Sequence, residues 1–474
     1  TAPGFKHATP ATGMILIMAN PMIKSDELEL QSKFGLEFVS PPATYTSLFP
    51  DGSWMGTYVS LDETCASIAK FSQRDADTYR EFVNKTITMG PLFTAGMFKP
   101  PLPFGAFMAM LDQSPLGKEI IGSMLTSGSQ LINRMFEHEK VRMHFLKWLA
   151  EGMTHPDERG TATYMYFLTA VAHTQEETAV VGGTQALTDS IVRCIEHYGG
   201  ELRTGAQVTK ILMSGGEAKG VQLADGEEIR ARKSVVASIH PWLLGDYVEG
   251  LDPQVVSDAR NCEPSSFGAL NTHWALHEAP SYIDPAVNES LLVECIPNSV
   301  EELMRSFDDC RAGKLSESFN AVVAHHTNHD PSRAPDGKHT LYLYSFAPLK
   351  LQGGWNAKTR DEYAQWMMGE YGKYCTNMRP DNIIASAAES PADMHEWSAS
   401  FQNGDIFGIG NFIHQYLGRR PTPALAQYAV PGAKGLYLAG PFMHPGGAVT
   451  GGGRCTAMKI LDDMDFDIAS VMEI

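Results

Sequence analysis

Hydrophobic and polar positions follow two different periods in the first third of the chain. Residues 37–39 and 45–49 alternate as short strands, and Pro50-Asp51-Gly52 forms a turn after them. From about Asp62 to Leu149 the apolar residues recur with the 3.6-residue spacing of a helix. Prolines divide that helical pattern into several pieces, at positions 91, 100, 101, 103 and 115. The pattern therefore predicts a short β region followed by several helices.

The helical region is rich in Met and Phe, and this composition has two interpretations. The ordinary one is a helical core. In the other, part of the region lines a site for a bulky apolar ligand, because methionine adapts to irregular shapes. The pattern leaves both open.

The middle of the chain predicts an α/β unit. An amphipathic helix follows Gly182-Gly183 and ends at Tyr198-Gly199-Gly200, where a glycine takes the left-handed cap position. A strand at 201–203 and an antiparallel ribbon over 208–230 follow, with Asp225-Gly226 as a hairpin turn. The apolar strand at 234–238 ends in small residues, which is typical of a buried parallel strand with a ligand at its carboxyl end.

The remaining elements are interleaved with these, without a linker or a repeat. Strands are predicted at 319–325 and 339–346, and a helix at 361–374. The last segment reads as an apolar strand ending at Gly440, a loop with six glycines from Gly440 to Gly453, and a helix from about Arg454 to Asp463. Glycines let a flat or phosphorylated ligand touch the backbone. The free N–H groups of the following helix stabilise negative charge on that ligand.

Composition narrows the class of partner. The 474 residues carry 55 acidic and 37 basic side chains, a net charge of −18, which opposes binding to nucleic acid. No apolar stretch is long enough to cross a membrane. The seven cysteines are scattered and form no CxxC pair, which argues against a disulfide framework or a zinc knuckle and favours a cytoplasmic location.

Three histidines in one short stretch, His325, His326 and His329, raise the question of a metal site. Adjacent residues of a strand point to opposite faces, so His325 and His326 do not easily bind one ion. We therefore predict no metal site.

The segment from Ala439 to Gly451 resembles the carboxy-terminal flavin signature of the phytoene-desaturase-like FAD-dependent oxidoreductases, within the amine-oxidase-like flavoproteins. Further resemblances span nearly the whole chain in order. They lie at 182–187 with 205–208, at 331–339, at 390–394, and at 404–408 with 415 and 420–423. The nearest branch of that family is the non-carotenoid, desaturase-like oxidoreductases.

The resemblance implies a set of cofactor-binding residues. Val208 contacts adenine through its backbone, and Ser238 ends a strand near the nucleotide. The glycine-rich loop lies along the pyrophosphate, the ribityl chain and the flavin ring, through Gly440, Pro441, Pro445, Gly446, Gly447, Val449, Thr450 and Gly451. For Val208, Ser238 and the glycines, the alternative is a purely structural role in a strand or turn.

Two histidines are weak candidates for chemistry. His444 lies in the loop beside the expected flavin ring and either assists proton removal or makes a structural hydrogen bond. His173 either lines the substrate cavity or lies in a solvated loop, and the loop is the preferred interpretation.

One family feature is missing from the sequence. Family members begin with a strand, a G-x-G-x-x-G turn, a helix and an acidic residue, and no G-x-G-x-x-G occurs here. Two explanations are open. A second polypeptide, either a small subunit or the amino-terminal piece of a cleaved precursor, supplies this unit, or the sequence is truncated.

The resemblance implies an α/β fold with two parts. An interrupted Rossmann-like FAD-binding domain comprises 1–60, 181–245 and 426–474, and a mixed sheet-and-helix substrate domain comprises 61–180 and 246–425. The expected function is removal of a hydride from a C–H or C–N bond of a small, apolar or aromatic substrate, with oxygen or a quinone reoxidising the flavin. The alternatives are a redox-neutral isomerase and a non-catalytic scaffold.

Overall fold

The computed structural model describes residues 1–90, 96–447 and 451–470. Its strands are β1 Phe38–Val39, β2 Ala43–Leu48, β3 Trp54–Thr57, β4 Ala179–Val180, β5 Val208–Ser214, β6 Glu217–Leu223, β7 Glu228–Arg230, β8 Val235–Ala237, β9 Gly268–Leu276, β10 Ser290–Cys295, β11 Ala321–Ala324, β12 His339–Ala347, β13 Ile383–Glu389 and β14 Leu436–Leu438. Its helices are α1 Pro21–Lys24, α2 Leu61–Ala69, α3 Gln73–Ile87, α4 Phe104–Leu111, α5 Pro115–Met124, α6 Gly128–Met135, α7 Glu139–Ala150, α8 Ala162–Ala172, α9 Gln185–His197, α10 Leu244–Tyr247, α11 Pro253–Arg260, α12 Val300–Arg311, α13 His326–His329, α14 Ala357–Tyr371, α15 Pro391–Trp397 and α16 Gly452–Asp463.

The largest sheet has seven strands in the order β13-β9-β12-β11-β10-β2-β3. Its pairs are antiparallel except β10 with β2, which run parallel from Ser290 opposite Ala43 to Cys295 opposite Leu48. The side chains of β9 are buried along its whole length, because this strand is covered on both faces. Helices α2 to α8 form one apolar core with one face of the sheet, and α14 forms another with the opposite face.

A smaller layer contains the parallel pair β8 and β14, with Val235 opposite Leu436 and Ala237 opposite Leu438. The antiparallel ribbon β5-β6-β7 lies beside it. Ile211 of the ribbon shares an apolar core with α10, α11 and the two parallel strands. This layer places the carboxyl ends of β8 and β14 side by side.

Local signals in the sequence account for most helix boundaries. Ser60, Ser72, Ser114 and Ser127 cap the amino ends of α2, α3, α5 and α6 by accepting hydrogen bonds from backbone N–H groups. Pro115 occupies the first position of α5, where its missing N–H has no cost. No helix among the described residues is both long and apolar enough to cross a bilayer.

The elements expected from the sequence pattern agree with the structure in most places. Helix α9 ends at His197, and Gly199 takes a left-handed φ of 80°. The ribbon, β8, β14 and α16 all form where they are predicted. Pro91 lies outside the described residues.

Three details differ from the expectation. The predicted strand at 201–203 does not form, and its residues are exposed because no described strand lies beside them. His326 is not in a strand, because β11 ends at Ala324 and His326 begins the turn α13. Residues 43–57 are grouped by sequence with the FAD-binding part, but they form the end of the seven-stranded sheet, where β2 pairs with β10 and β3 pairs with β2. The domain boundaries otherwise remain a prediction.

Candidate functional site

The site begins where two parallel strands end. Ser238 follows β8 and Gly440 follows β14, so the two residues lie side by side. Gly440 has a φ of 126°, and a Cβ on it would lie 2.9 Å from the Ser238 Oγ and 2.9 Å from the Phe442 ring. Only glycine allows this close approach of the two strand ends without strain.

A buried arginine holds the loop after β14. The guanidinium of Arg420 donates to the carbonyl oxygens of Pro441 at 2.8 Å, Ile409 at 3.1 Å and Gly410 at 3.2 Å. It also donates to Asn411 Oδ1 at 3.0 Å. Since Arg420 is completely buried, these carbonyls replace its water shell and fix the loop in place.

The next part of the loop is fixed by two further hydrogen bonds. The Tyr428 hydroxyl donates to the His444 carbonyl at 3.2 Å. The Nε2–H of His444 donates to the Gly96 carbonyl at 2.8 Å. His444 therefore makes the structural hydrogen bond that was the alternative to a role in proton removal, and it does so through only one of its two ring nitrogens.

The segment 96–98 is bound to the carboxy-terminal loop and helix at three successive carbonyl oxygens; we call it the strap. Besides the bond of Gly96 with His444, the Cys455 thiol donates to Met97 O at 3.5 Å. Arg454 Nη1 donates to Phe98 O at 2.7 Å. Residues 99–103 join the strap to α4, so a short segment of chain connects the loop with α4.

The amino end of α16 is open to a ligand. A Cβ on Gly453 would meet nothing within 4 Å, and this residue is exposed in the first turn of the helix. The preceding Gly451 is packed against Phe98 and Asn20, where a Cβ would lie 2.5 Å and 2.9 Å from their side chains. The first turn of α16 thus combines a partial positive charge with open space beside Gly453.

A cavity of about 270 Å³ lies against the open side of β8. Val208 and Ser238, the two residues predicted to contact the nucleotide, both line it. The cavity wall is otherwise formed mainly by apolar residues of β5, β6, β8 and the residues after β8. The structure thus brings together two residues that are 30 positions apart in the sequence.

A second cavity, of about 310 Å³, lies against the loop; we call it the apolar cavity. His444 and Pro445 form one part of its wall. The rest comes from α4, α5, α8 and the segments at 96–102 and 411–417. Its apolar lining residues include Met97, Leu102, Phe107, Met110, Leu111, Ile120, Met124, Phe167, Ile413 and Leu417.

The Met- and Phe-rich region is divided between the core and the wall of the apolar cavity. Met143, Phe145 and Phe82 lie in the core, whereas Phe107 and Met110 line the apolar cavity.

Few polar groups reach the apolar cavity. The His444 Nδ1 is buried in its wall without a hydrogen-bond partner. The Tyr164 hydroxyl is also buried in the wall, and its hydrogen-bonding neighbour is the Asn411 side chain, which opposes the rise of the Tyr164 pKa caused by burial. Asn411 also lines the cavity. Because a buried polar atom that is unpaired or weakly paired is unfavourable, these atoms are available to a ligand.

Burial decides the protonation of both groups. Desolvation lowers the pKa of His444 to about 4; the hydrogen bond with Gly96 opposes this shift, and the charge of Arg420 adds to it. The imidazole is therefore neutral near pH 7, with the proton on Nε2 and a free lone pair on Nδ1. Burial also raises the pKa of Tyr164 well above its usual value, so its hydroxyl keeps its proton.

His173 takes neither of the two positions considered for it. It is buried rather than in a solvated loop, and it is not among the residues that line the apolar cavity. Its Nδ1–H donates to the Val59 carbonyl at 3.0 Å, and its Nε2 accepts from the Tyr79 hydroxyl at 2.9 Å. Both ring nitrogens are used in joining α8 to α3 and the segment after β3.

The remaining predicted cofactor-binding residues belong to the later part of the glycine-rich loop. Gly446 has a φ of 122°, and Gly447 is packed against Phe407, whose Cδ1 would lie 2.3 Å from an added Cβ. Val449 and Thr450 lie outside the described residues. No cluster of metal-binding side chains is found in the described ranges.

Sequence reasoning missed Tyr164 and Asn411 and did not assign a role to Arg420. Their neighbours in the site are distant in the sequence, and a lone Tyr or Asn in a loop or helix carries no motif. In the sequence, Arg420 stands out only as part of the segment 420–423 that resembles the family.

The open helix end, the close contact at Gly440 and the cavity at Val208 and Ser238 fit a dinucleotide cofactor with a flat ring system. The chain belongs to the flavin-containing amine oxidoreductase family, whose model matches residues 110–454. Phytoene desaturases also match over most of its length. These findings confirm the expected family and α/β class.

Among individual relatives, the chain is 26% identical to mouse pyridine nucleotide-disulfide oxidoreductase domain-containing protein 2, covering 98% of this chain and 86% of the relative. It is 25% identical to one of the subunits of limonene dehydrogenase from Castellaniella defragrans, covering 98% and 87%. Among solved structures, an oxidoreductase from Methanosarcina mazei has a TM-score of 0.60 at 14% identity, covering 98% of this chain and 90% of that one.

The cofactor of the protein is FAD, and the protein is an FAD-dependent oxidoreductase. Both conclusions confirm the expectation from the sequence.

Proposed function

We propose that the protein removes a hydride from a C–H or C–N bond of a small apolar substrate held in the apolar cavity. The observation that carries this proposal is the composition of that cavity. Apolar side chains form nearly all of its wall, and the wall includes His444 and Pro445 of the glycine-rich loop. Bound FAD supplies the hydride acceptor.

The residues of the chain act on the substrate in three ways. The apolar wall excludes water and favours an apolar substrate by desolvation. The Tyr164 hydroxyl donates a hydrogen bond to a polar group of the substrate, where one is present. The free Nδ1 of His444 accepts a proton when the reaction releases one.

The test is reduction of the flavin by substrate. The purified holoenzyme is mixed with candidate apolar substrates without oxygen, and the visible band of oxidised flavin is followed. We expect bleaching with apolar cyclic or aromatic compounds and none with polar amino acids of similar size. If product forms during turnover while the visible band of the flavin stays unbleached, the result would instead support a redox-neutral isomerase.

We also propose that the FAD-binding part is an interrupted Rossmann-like domain, completed by a further strand at the free edge of β8. Among the described strands, β8 pairs only with β14. Val236 in the middle of β8 is 52% exposed. Leu202, in the segment 201–203 that was expected to be a strand, is 54% exposed. An unpaired, partly apolar sheet edge favours addition of a strand.

The added strand belongs to a separate polypeptide in this proposal, which is supported by the likeness to a limonene dehydrogenase that has more than one kind of chain. Native mass spectrometry of the flavin-containing protein tests it. We expect a second species of ~5–7 kDa, sufficient for one βαβ unit. A flavin-bound 474-residue chain without any partner would contradict the proposal. Finding the βαβ unit covalently attached to the chain would also contradict it.

A cytoplasmic location completes the proposal. All seven cysteines are free, and six of them are buried, which suits a reducing compartment. Cell fractionation with a periplasmic and a cytoplasmic marker enzyme tests it, and a signal in the periplasmic fraction would contradict it.

A further inference from the structure

The wall of the apolar cavity contains one charged side chain. Lys99, the residue directly after the strap, is the charged residue among the described residues that line this cavity. It is half-buried, and a lysine in such a position packs its aliphatic part against apolar neighbours and keeps its ammonium group at the rim. The other described lining residues are uncharged, and none of them is a carboxylate. The cavity therefore combines an apolar interior with a single positive charge at its edge.

Lys99 has no partner in the protein. Its side chain makes no hydrogen bond or ion pair within the described ranges, although the chain carries 55 acidic and 37 basic side chains. The carboxylate of Glu27 is connected with this segment but is already used. It is paired with Arg454 at 2.6 Å, and Arg454 also donates to the carbonyl oxygen of Phe98, next to Lys99. The ammonium group of Lys99 is thus left for a ligand.

Arg420 adds positive potential behind the same wall. Its hydrogen-bond acceptors within the described ranges are backbone carbonyl oxygens and the Asn411 amide oxygen, all of them neutral. Burial has the largest effect on the pKa of Tyr164, Tyr416 and His444, and the charge of Arg420 acts on each pKa in the direction of proton loss. All three residues line the cavity. The electric field in the cavity therefore favours anions over cations.

These charges discriminate among the polar groups that a substrate can carry. An ammonium group is repelled by Lys99 and Arg420 and finds no carboxylate among the described lining residues. Asp405 interacts electrostatically with Arg420, but it accepts hydrogen bonds from the backbone N–H groups of Ser265 and Phe407 and does not line the cavity. A neutral group leaves Lys99 unpaired. A carboxylate pairs with Lys99 in a charge-assisted hydrogen bond while its hydrocarbon part fills the apolar interior.

The position of Lys99 also orients such a ligand. Lys99 is three residues after Gly96, whose carbonyl oxygen accepts the hydrogen bond from the His444 Nε2–H at 2.8 Å. Three residues of extended chain span at most about 11 Å, so the rim at Lys99 and the loop at His444 are both within reach of one small molecule. A ligand held at Lys99 by its charged end places apolar carbon atoms beside His444 and Pro445, which line the same cavity.

We infer that the apolar cavity binds an apolar monocarboxylate, whose carboxylate pairs with the Lys99 ammonium group at the rim and whose hydrocarbon part extends toward His444 and Pro445. Binding of the acid stands on the cavity alone. Its oxidation rests on the proposed function and narrows that function to C–H bonds. Two neighbouring C–H bonds of the acid then break and a C=C bond forms. The hydride goes to bound FAD and the proton to the free Nδ1 of His444.

Ligand binding by the flavin-containing protein tests the inference. The probes are cyclohexylpropionate, its methyl ester and cyclohexylpropylamine, which share one apolar skeleton and differ in the charge at its end. Isothermal titration calorimetry measures their dissociation constants. We expect the acid to bind about tenfold more tightly than the ester, and the amine to bind more weakly than the ester. Raising the ionic strength from about 0.05 to 0.5 M should reduce the difference between acid and ester, because salt screens a charge at the rim.

The variant Lys99→Gln removes the positive charge and keeps a hydrogen-bond donor. It should bind the acid about tenfold more weakly and the ester as before, whereas Lys99→Arg should retain the preference for the acid. Lys118→Gln is the matched control, because Lys118 is exposed on α5 and does not line the cavity. This control should bind all three probes like the unchanged protein. Thermal unfolding and flavin absorbance verify that every variant is folded and loaded.

Four results would overturn the inference. They are absence of binding by all three probes, equal affinity of the unchanged protein for acid and ester, equal loss of acid affinity in Lys99→Gln and Lys118→Gln, and tighter binding of the amine than of the ester. The last result would show that the aromatic rings of the wall bind a cation instead.

The binding inference and the proposed oxidation fail separately. If acid and ester bind equally while apolar compounds still reduce the flavin, the acid site is wrong and the oxidation stands. A preference for the acid that depends on Lys99, without flavin reduction by any apolar compound, would contradict the proposed oxidation alone.

Discussion

At the residue scale, His444 combines a structural and a chemical property. Its Nε2–H donates a hydrogen bond to the Gly96 carbonyl oxygen. Its Nδ1 is buried in the wall of the apolar cavity and has no hydrogen-bond partner. We expect His444→Gln to keep the hydrogen bond with Gly96 through its amide N–H and to lose the basic nitrogen. Substrate-driven flavin reduction should then slow by about 10²–10⁴-fold.

Rapid-mixing absorbance without oxygen measures that rate, and the flavin content of the variant serves as its control. The pH profile provides a second check. Protonation of His444 as the pH falls through about 4 should slow the unchanged enzyme but leave the variant unaffected. A variant that reduces flavin at the original rate would mean that the histidine is only structural.

Tyr164 should contribute to specificity rather than to stability. We expect Tyr164→Phe to change the free energy of unfolding by less than about 1 kcal/mol, because the buried hydroxyl that it removes interacts only weakly with the Asn411 side chain. The same change should raise KM by about tenfold for an alcohol or ketone substrate and leave a hydrocarbon of the same skeleton unaffected. Equal effects on both substrates would argue against a hydrogen bond to the substrate.

At the scale of elements, the strand ends and the helix end contribute to the site differently. Gly440→Ala places a Cβ 2.9 Å from the Ser238 Oγ in a left-handed conformation, so we expect both folding and flavin binding to be impaired. Gly453→Ala enters open space in the first turn of α16. It should preserve or increase stability by up to about 1 kcal/mol while weakening flavin binding at the helix end.

Thermal unfolding with and without added FAD, together with titration of the apoprotein with FAD, distinguishes the two variants. Gly369→Ala, also in open space but in the last turn of α14, is the matched control and should leave the affinity for FAD unchanged. If Gly453→Ala binds FAD as tightly as Gly369→Ala, the ligand does not approach that face of α16.

The elements themselves could mostly be predicted from the sequence because their signals are local. Gly199 ends α9, Asp225-Gly226 closes the ribbon, and the small residues after β8 mark the end of a parallel strand. The cofactor-binding roles of the loop glycines, Val208 and Ser238 come from the resemblance and stay predictions. The strand expected at 201–203 was wrong, because a strand also requires a neighbour that no local pattern specifies.

The apolar cavity could not be predicted. Tyr164 and Asn411 approach each other only after α8 and the loop at 407–411 have packed together. His173 was misplaced because its partners, Val59 and Tyr79, lie far away in the sequence.

At the scale of the whole molecule, stability should depend on a buried carboxyl group. Glu177 accepts hydrogen bonds from the backbone N–H groups of Met14, at 2.7 Å, and Thr178, at 3.1 Å. Desolvation raises the pKa of Glu177 to about 7, although these hydrogen bonds oppose the shift. The folded state therefore binds this proton more tightly than the unfolded state does. As the pH rises from about 4.5 to 7, stability should fall by up to about 3 kcal/mol.

Glu177→Gln keeps the acceptor oxygen and removes the titration. We expect the free energy of unfolding of this variant, measured with urea, to lose this part of the pH dependence. At pH 8 the variant should be more stable than the unchanged protein. Glu37→Gln is the control, because this glutamate is exposed, and it should leave the dependence as it is. Parallel pH profiles of the protein and Glu177→Gln would contradict the assignment.

The strap couples the glycine-rich loop to α4. Its three carbonyl oxygens are held by His444, Cys455 and Arg454, and its chain continues into α4. If occupation of the loop favours one position of the strap, it also favours one position of α4, and the coupling acts equally in both directions. Flavin should then bind more tightly when an apolar ligand fills the cavity that α4 lines, by the same factor by which bound flavin tightens the binding of that ligand.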